Sequence, residues 1–488
     1  MDPELNRSRR SSSGTASDPE SGPDAAHPLA DGTGYRPGIA PTRRPKLLRR
    51  PAAVDRALAR VPESLRALQA VAIGGFLLRV VVVAVNAQVP LTRDLTRDPG
   101  NFVDLAPQLA NGQGLYRDGV LVTYWPPGYL GFVSVFVKVE EIVGVGTLRF
   151  WIGLGQSALA GVSILVVGLL VRRRISPSVA FVSALVLALW PNQLLMSSVV
   201  MTEGLFTPLY TAGVAALLWR RRATTGAVAL AGLLLGAAVL TRPAGAPVVI
   251  AAAGVVAWTN RRSIRSALAS TALFSVVVLA VLAPWLLYTN AAVGTPTLSS
   301  FNGYNLCLGN ADDADGEFDG DRCRLRPGES AVEGDSRMRS EAIEWMLRNP
   351  LEQPRLLVIR VRELVIADFY AAEDLPDDQY DAPIPASVVL ATTQVWWVVV
   401  MYLAARGLWR HRSDSFFRAG AVLWGAALIG PLVTIGHIRF HDPLVPFMAI
   451  CAAAWLVAGG PTGKATRDRQ RSATDGDLPV GHGSPQSR

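Results

Sequence analysis

The stretch that decides the fold, residues 94–130, reads DLTRDPGNFVDLAPQLANGQGLYRDGVLVTYWPPGYL. It follows the first strongly apolar run and carries polar chemistry that a membrane-spanning helix does not need. Asp98 stands at the head of an apolar stripe whose other members recur at helical spacing: Phe102, Leu105, Ala106 and Leu109. The pattern predicts a helix on the membrane surface with one carboxylate near the membrane edge.

An aromatic, proline-rich corner follows this helix. Gly112 and Gly114 are expected to end the helix, because glycine readily adopts the left-handed conformation found after helix C-termini. Residues 124–129, YWPPGY, then open a second apolar helix. Residues 127–143 could span the membrane, but as a surface helix they leave every later arginine cluster inside, and we adopt that arrangement.

Composition points to a membrane protein. Half of the 488 residues are apolar, and the mean hydropathy is +0.28. Several apolar runs of about 17 to 25 residues are long enough to cross a bilayer. A soluble domain of ordinary size is therefore excluded, and an all-α polytopic membrane protein is predicted. A long polar tail precedes the first full span, so no signal peptide is expected.

The net charge of +8 could suggest a nucleic-acid partner, but the distribution of charge argues against one. Residues 291–385 contain 19 Asp or Glu and 9 Arg, which gives −10 there and +18 elsewhere. The positive charge lies in short clusters beside apolar runs, as in membrane proteins whose cytoplasmic loops are basic. The partner implied is the lipid bilayer, and nucleic acid is excluded.

The apolar runs and arginine clusters predict the topology. One transmembrane domain, residues 65–460, is flanked by disordered cytoplasmic tails at residues 1–60 and 461–488. Two outer loops, residues 90–147 and 291–385, interrupt it. About ten spans are expected, at residues 67–89, 148–171, 176–195, 200–219, 224–240, 245–259, 266–289, 386–405, 416–435 and 443–459.

Two spans contain residues that disturb a simple membrane helix. Arg79 falls within the first span, where a lone charge costs a few kcal/mol, so it should face the bundle or a water-filled cavity. Pro191 should kink or finish the third span near its outer end.

The large outer loop holds two of the three cysteines. Cys307 and Cys323 lie where the predicted topology is extracellular, so a disulfide between them is expected. Such a bridge contributes about 3 kcal/mol by loop-closure entropy. Residues 336–370 are predicted to be helical, with a break at residues 349–350 (Asn-Pro), and residues 354–370 suit an interfacial helix.

The order of these motifs resembles that of GT-C glycosyltransferases. The resemblance is to the first outer loop of glycosyltransferase family 39, which includes protein mannosyltransferases and aminoarabinose transferases. It is carried by three motifs in order: Asp98-x-x-x-Phe102-x-x-Leu105-Ala106, Gly112-x-Gly114 and Pro126-Pro127-Gly128-Tyr129. The family usually has Tyr at the position of Phe102. Some members use a Lys near the proline corner to meet the donor phosphate, and this chain has no equivalent. The resemblance implies a GT-C bundle with outer juxtamembrane helices and a polyprenyl-phosphate sugar donor.

Two acids are the catalytic candidates that the resemblance implies. Asp98 would remove the acceptor proton, although an Asp before Pro99 also suits a helix N-cap. Asp94 is a nearby alternative whose spacing to Phe102 does not fit. Glu203 would orient the acceptor or share a divalent cation, Mg²⁺ or Mn²⁺, with Asp98, although an acid in the first turn of a helix is also favoured by the helix dipole.

The donor phosphate is expected at two other outer turns. Arg242, in a Leu-Thr-Arg-Pro turn that the family shares, is a guanidinium on the outer side, where basic residues are uncommon. Arg439 matches the family's Arg-Phe/Tyr-x-x-Pro turn and would stabilise the leaving phosphate. His441 could hydrogen-bond the same phosphate, although Asp442 and Pro443 also suit simple helix capping.

The function expected from the resemblance is a plasma-membrane hexosyl- or pentosyltransferase with an inverting mechanism on the outer face. The acceptor could be a protein, a lipid or a cell-wall glycan. The alternative is a transporter or lipid flippase, a class in which charges lie near the membrane midplane. Only Arg79 favours transport, because the other candidates sit at helix mouths and no internal repeat is evident.

Overall fold

The computed structural model describes residues 62–86, 98–117, 120–312, 314–315, 323–369 and 386–458. The predicted terminal tails lie outside these residues, as does the side chain of Asp98. Helices dominate the described residues, and the predicted all-α fold is confirmed. The two short strands that the structure contains are β1 Tyr116–Arg117 and β2 Val120–Leu121, which pair antiparallel.

The helices are named in chain order. Their bounds are α1 Leu65–Asn86, α2 Asp98–Ala110, α3 Pro127–Val143, α4 Leu148–Arg174, α5 Pro177–Ala188, α6 Pro191–Met196, α7 Glu203–Leu218, α8 Thr225–Thr241, α9 Ala246–Thr259, α10 Ile264–Val293, α11 Asn302–Gly309, α12 Ala331–Arg348, α13 Glu352–Val365, α14 Ala386–His411, α15 Ser415–Gly425, α16 Ile429–Val433 and α17 Val445–Ala458. Short 3₁₀ turns lie at Pro243–Gly245, Ala426–Leu428 and Ile438–Leu444.

Six helical segments of the described chain are long and apolar enough to cross a membrane. They are α1, α4, α10, α14, the α15–α16 run and the run from the last 3₁₀ turn through α17. The other four predicted spans are the shorter helices α5, α7, α8 and α9. The 12 residues of α5 rise about 18 Å, which is less than a bilayer core of about 30 Å. The count of ten spans stays a prediction.

Proline sets the end of the third predicted span. Helix α5 ends at Ala188, and α6 begins at Pro191 after a break of two residues. Proline disfavours a helical conformation in the residue before it, and Trp190 is extended with ψ 112°. The prediction that Pro191 kinks or finishes this span is confirmed.

Arg79 bonds to the end of this broken helix. Its guanidinium donates to the carbonyls of Leu187 and Ala188 at 3.0 and 3.2 Å, and to that of Gly75 at 3.0 Å. The last carbonyls of a helix lack intrahelical partners and sit at the negative end of its dipole. Arg79 is buried and faces the bundle, as predicted, and its contacts give it a structural role as a cap for α5.

The stretch from α2 to α3, which is predicted to lie on the outer side, packs as one unit. Helix α2 ends at Ala110, and Gly112 and Gly114 follow with φ of +70° and +78°, the left-handed conformation expected from the sequence. The buried ring of Phe102 then meets Tyr129 of α3 edge-on, with centroids 4.9 Å apart. The helix, the glycine turn and the proline corner therefore share one small core.

The large segment that is predicted to lie on the outer side contains a disulfide and a capped helix. Cys307 of α11 and Cys323 form a disulfide, which closes a loop with a sequence separation of 16. Helix α12 begins with a capping box between Ser330 and Glu333. The predicted helical break is confirmed, because α12 ends at Arg348 and α13 begins at Glu352.

The predicted sidedness can be tested with two variants that each gain one exposed cysteine. Ser340→Cys, exposed on α12, should react in intact cells with a membrane-impermeant maleimide. Arg221→Cys, in the exposed arginine cluster after α7, should react only after the cells are permeabilised, because basic loops stay inside. Labelling of residue 221 but not of residue 340 in intact cells would reverse the topology.

Candidate active site

Three turns that are distant in sequence, and that are predicted to lie on the outer side, meet at one carboxylate. Glu203, the first residue of α7, is 3% exposed. It accepts a hydrogen bond from Nη1 of Arg242, and the two form an ion pair. Nε of Arg439 lies 3.9 Å from the same carboxylate oxygen. The structure thus brings together one of the two predicted catalytic acids and both predicted phosphate-binding arginines.

The local sequence explains how Arg242 reaches this carboxylate. Helix α8 ends at Thr241, and Arg242 is extended with φ −145° and ψ 113°. Pro243 disfavours a helical conformation in the residue before it, so the chain leaves the helix at Arg242. The side chain therefore starts from the C-terminal end of α8 and reaches the start of α7.

Phe440 lies beside both guanidinium groups. Its ring centroid is 4.9 Å from Cζ of Arg242 and 5.2 Å from Cζ of Arg439. A cation beside an aromatic face gains about 0.5 to 2 kcal/mol, depending on how far it is desolvated. The ring thus reduces the cost of placing two like charges, from two different turns, near each other. Sequence analysis did not identify this role, although Phe440 is part of the motif that contains Arg439.

His437 begins the turn that carries Arg439. Its Nδ1 accepts from the backbone N–H of Arg439 at 3.3 Å. Burial, together with the positive charge of Arg439, lowers the pKa of His437 to about 4. The imidazole is therefore neutral at physiological pH and adds no positive charge to the cluster.

The charges at this site favour an anion. Two guanidinium groups face a single carboxylate, so the cluster Glu203, Arg242 and Arg439 carries a net charge of +1. The arginine side chains are 17% and 21% exposed, whereas the carboxylate is 3% exposed. An anion that arrives from the solvent therefore meets the guanidinium groups and not the carboxylate. Phosphate suits their planar arrays of N–H groups.

A chain of hydrogen bonds ties the proline corner to the start of α7. The hydroxyl of Tyr129 donates to Oε1 of Gln156 at 2.9 Å. Nε2 of Gln156 donates to the carbonyls of Ser197 and Val199, at 3.1 and 2.9 Å, in the segment that leads to Glu203. The Tyr129 and Gln156 side chains are buried, so this network holds the corner and the cluster at a fixed distance.

Gly128 allows the corner to approach the turn that carries Arg242. A Cβ at Gly128 would stand 2.7 Å from the carbonyl oxygen of Leu240 and 2.8 Å from the backbone nitrogen of Thr241. These backbone atoms cannot move aside without shifting the end of α8. The glycine of the Pro-Pro-Gly-Tyr motif is thus explained by close packing.

Gly128→Ala should lower the thermal stability of the chain, because the added methyl group pushes α3 away from the Arg242 turn. Overpacking of this kind typically costs about 1 to 3 kcal/mol. Gly131→Ala is the matched control in the same helix, since its Cβ would have nothing within 4 Å. Thermal unfolding of the purified chains in detergent measures the difference. Equal stability of the two variants would contradict the close contact.

The predicted metal pair of Asp98 and Glu203 stays a prediction, because the Asp98 side chain is outside the described residues. Helix α2 begins at Asp98, one residue before Pro99, where the N-cap interpretation places the helix start. The Glu203 carboxylate already faces two guanidinium groups. These cations take the place that a metal ion would occupy at that acid, which favours a positioning role for Glu203.

The structure places His441 away from an exposed phosphate site. The ring is 3% exposed, with Nδ1 2.8 Å from the carbonyl oxygen of Leu364 and Nε2 3.2 Å from Oδ1 of Asp368. A direct bond to the donor phosphate would have to replace one of these contacts. Asp368 was missed by sequence analysis, because it follows α13 with no recognisable motif around it.

The chain was compared with known proteins. Residues 132–288 match the family model described as dolichyl-phosphate-mannose-protein mannosyltransferase. The predicted resemblance to GT-C glycosyltransferases is thereby confirmed. The matched residues run from α3 through most of α10 and include the turns of Glu203 and Arg242. A search of curated protein sequences found no significant match.

Solved structures of two GT-C enzymes align with the chain. The archaeal oligosaccharyltransferase AglB from Archaeoglobus fulgidus, solved with an inhibitory peptide and a dolichol-phosphate, is 15% identical, with 86% of this chain and 52% of AglB covered and a TM-score of 0.48. ArnT from Cupriavidus metallidurans, bound to undecaprenyl phosphate, is 13% identical, with 78% and 76% covered and a TM-score of 0.37. The chain spans about half the length of AglB.

Proposed function

We propose that the chain is an integral membrane glycosyltransferase that moves a sugar from a polyprenyl-phosphate donor to an acceptor hydroxyl on the outer face of the plasma membrane. The observation that carries this proposal is the pair of partly exposed guanidinium groups around Phe440, held by the buried Glu203. The family match, whose description names a polyprenyl-phosphate sugar, supports this class of donor.

The proposed reaction is a single displacement with inversion. Asp98 takes the proton of the acceptor hydroxyl, whose oxygen forms a bond to the anomeric carbon of the sugar. The bond between that carbon and the phosphate oxygen breaks, and the lipid phosphate leaves with the bonding electrons. Arg242 and Arg439 stabilise the charge that grows on this phosphate. Glu203 keeps the two guanidinium groups in place.

Several substrates meet these requirements. A hexose such as mannose passed to a protein Ser or Thr, a pentose passed to a cell-wall glycan, and an aminosugar passed to a lipid all need the same phosphate site and base. Mass spectrometry of envelope glycans and glycoproteins after deletion of the gene would identify the acceptor. Transport is not favoured, because the contacts of Arg79 with the end of α5 account for the one charge that suggested it.

Binding of undecaprenyl phosphate tests the phosphate site directly. Arg242→Ala and Arg439→Ala should each weaken binding by roughly 10- to 150-fold, since a hydrogen bond to a charged group contributes about 1.5 to 3 kcal/mol. Native mass spectrometry of the purified chain in nanodiscs gives the affinity. Arg326→Ala is the matched control, because Arg326 is exposed on the outer segment and pairs with Glu341.

Two results would count against the proposal. Affinities of both variants equal to that of the wild type would remove the phosphate site from these turns. Wild-type protein that neither binds nor consumes a polyprenyl-phosphate sugar would overturn the function itself.

A further inference from the structure

A second polar cluster is buried and includes two residues of the turn that carries Arg439. Asp368 follows α13, and His441 and Asp442 belong to the last 3₁₀ turn; the three residues are 1%, 3% and 1% exposed. One ligand atom from each, the imidazole nitrogen or a carboxylate oxygen, lies within 4.8 Å of the other two. Buried carboxylates need compensation, because an unpaired buried charge is strongly destabilising.

The hydrogen bonds of His441 fix the direction of its ring. Nδ1 lies 2.8 Å from the carbonyl oxygen of Leu364, which can only accept, so Nδ1 carries the hydrogen. In neutral imidazole the other nitrogen, Nε2, then presents a lone pair. That lone pair faces Oδ1 of Asp368 at 3.2 Å, and this oxygen is also an acceptor. A proton or a metal ion must therefore lie between the two atoms.

Asp368 is held in place by neutral groups. Its Oδ1 accepts from the side-chain amide of Asn192 at 2.5 Å, and its Oδ2 accepts from the indole N–H of Trp190 at 2.6 Å. These two hydrogen bonds orient the carboxylate and add no positive charge. Trp397 also stacks on the His441 ring, with centroids 4.1 Å apart, and fixes the ring plane.

Asp442 decides which positive group fits. Its Oδ1 is buried and has no hydrogen-bond partner among the described residues. A proton on Nε2 of His441 would satisfy the contact with Asp368 and would leave Oδ1 of Asp442 without a hydrogen-bond partner among the described residues. One divalent cation bound by Nε2 and by both carboxylates satisfies all three groups. The distance of 3.2 Å between Nε2 of His441 and Oδ1 of Asp368 is also close to the distance between two ligand atoms of a tetrahedral zinc ion, which is about 3.3 Å for bonds near 2.0 Å.

We propose that Asp368, His441 and Asp442 bind one divalent transition-metal ion, with Zn²⁺ favoured over Mn²⁺. Imidazole favours zinc and its neighbours, whereas a set of oxygens alone would favour Mg²⁺ or Ca²⁺. The bond from Nδ1–H of His441 to a backbone carbonyl is the arrangement that typically orients metal-binding histidines. Asp442 and Glu203 line the same cavity of about 60 Å³, so the ion would lie near the cluster of Glu203, Arg242 and Arg439.

Metal content tests this proposal without any transfer assay, so its outcome does not depend on the proposed function. The full chain, purified with an affinity tag that contains no histidine, is incubated with Zn²⁺ or Mn²⁺, desalted and measured by inductively coupled plasma mass spectrometry. The wild type should retain about one ion per chain, the stoichiometry of a mononuclear site. A chelator should lower its unfolding temperature, because an ion that binds only the folded chain stabilises it.

His441→Gln should raise the dissociation constant for Zn²⁺ by at least about 10-fold, the smallest loss usual even for residues around a metal's own ligands. His411→Gln is the matched control; it is the last residue of α14, where its ring stacks on Phe417, and it should bind like the wild type. If His441→Gln does not fold, Asp442→Asn provides the same comparison. Wild-type protein that takes up neither ion, or equal zinc binding by wild type and the cluster variants, would overturn the proposal.

Discussion

Asp98→Asn should lower the rate of sugar transfer by about 100- to 10,000-fold, the usual contribution of a general base. Asparagine keeps the size of the side chain and much of its hydrogen-bonding capacity, but it cannot accept the proton of the acceptor hydroxyl. Expression and binding of the proposed polyprenyl-phosphate donor should stay near wild type, because Arg242 and Arg439, and not Asp98, are the groups proposed to bind the phosphate. Single-turnover transfer at matched protein levels measures the effect.

The same variant separates catalysis from helix capping. Helix α2 begins at Asp98, and asparagine caps a helix about as well as aspartate. If Asp98 is only a cap, the variant should be stable and fully active. Asp104→Asn is the control, since Asp104 is exposed on the same helix and should leave transfer unchanged. Near-wild-type transfer by Asp98→Asn would show that the proposed mechanism is wrong.

Glu203→Gln should destabilise the chain by about 3 kcal/mol, because removing one member of a buried ion pair leaves its partner uncompensated. We expect the lower end of the usual range, since Arg242 and Arg439 are partly exposed. Affinity for undecaprenyl phosphate should also fall, as the two guanidinium groups lose their common anchor. Glu341→Gln, which removes an exposed partner of Arg337, should cost less than about 1 kcal/mol.

The readouts distinguish the two roles of Glu203. A positioning acid predicts lower stability and weaker binding of the lipid phosphate, with partial rescue by Glu203→Asp because the charge is restored. A catalytic base predicts instead that Glu203→Gln keeps its stability and its affinity for the phosphate and loses only kcat. The second outcome would remove the positioning role proposed for Glu203.

Sequence patterns predicted the structural features that are set by residues close together in the chain. The helix from Asp98, the left-handed glycines after it and the break at Pro191 follow from local backbone preferences, so they could be read directly. The lengths of the short helices were harder to predict from the sequence, because an apolar run does not show where a helix ends. Helix α5 is the example: its apolar sequence continues past Ala188, whereas the helix stops there.

The contacts that define the site were harder to predict. Motifs placed Glu203, Arg242 and Arg439 separately on outer turns, but no pattern indicated that the first two form an ion pair. The pairing of Asp368 with His441 joins residues 73 apart in sequence, and nothing near Asp368 marks it as a partner. Such contacts arise from the packing of helices that are distant in the chain.

The separation of Glu203 and Arg242 from Arg439 has a consequence for biosynthesis. The first two residues are 39 apart, at the start of α7 and directly after the end of α8, so they can pair early as the chain enters the membrane. Arg439 is made 197 residues after Arg242, which takes roughly 10 to 40 s at about 5 to 20 residues per second. A nascent or truncated chain that lacks the last turn would hold only one of the two arginines of the proposed phosphate site. It should bind lipid phosphate roughly 10- to 150-fold more weakly than the complete chain, so tight binding of the ligand would report completed assembly.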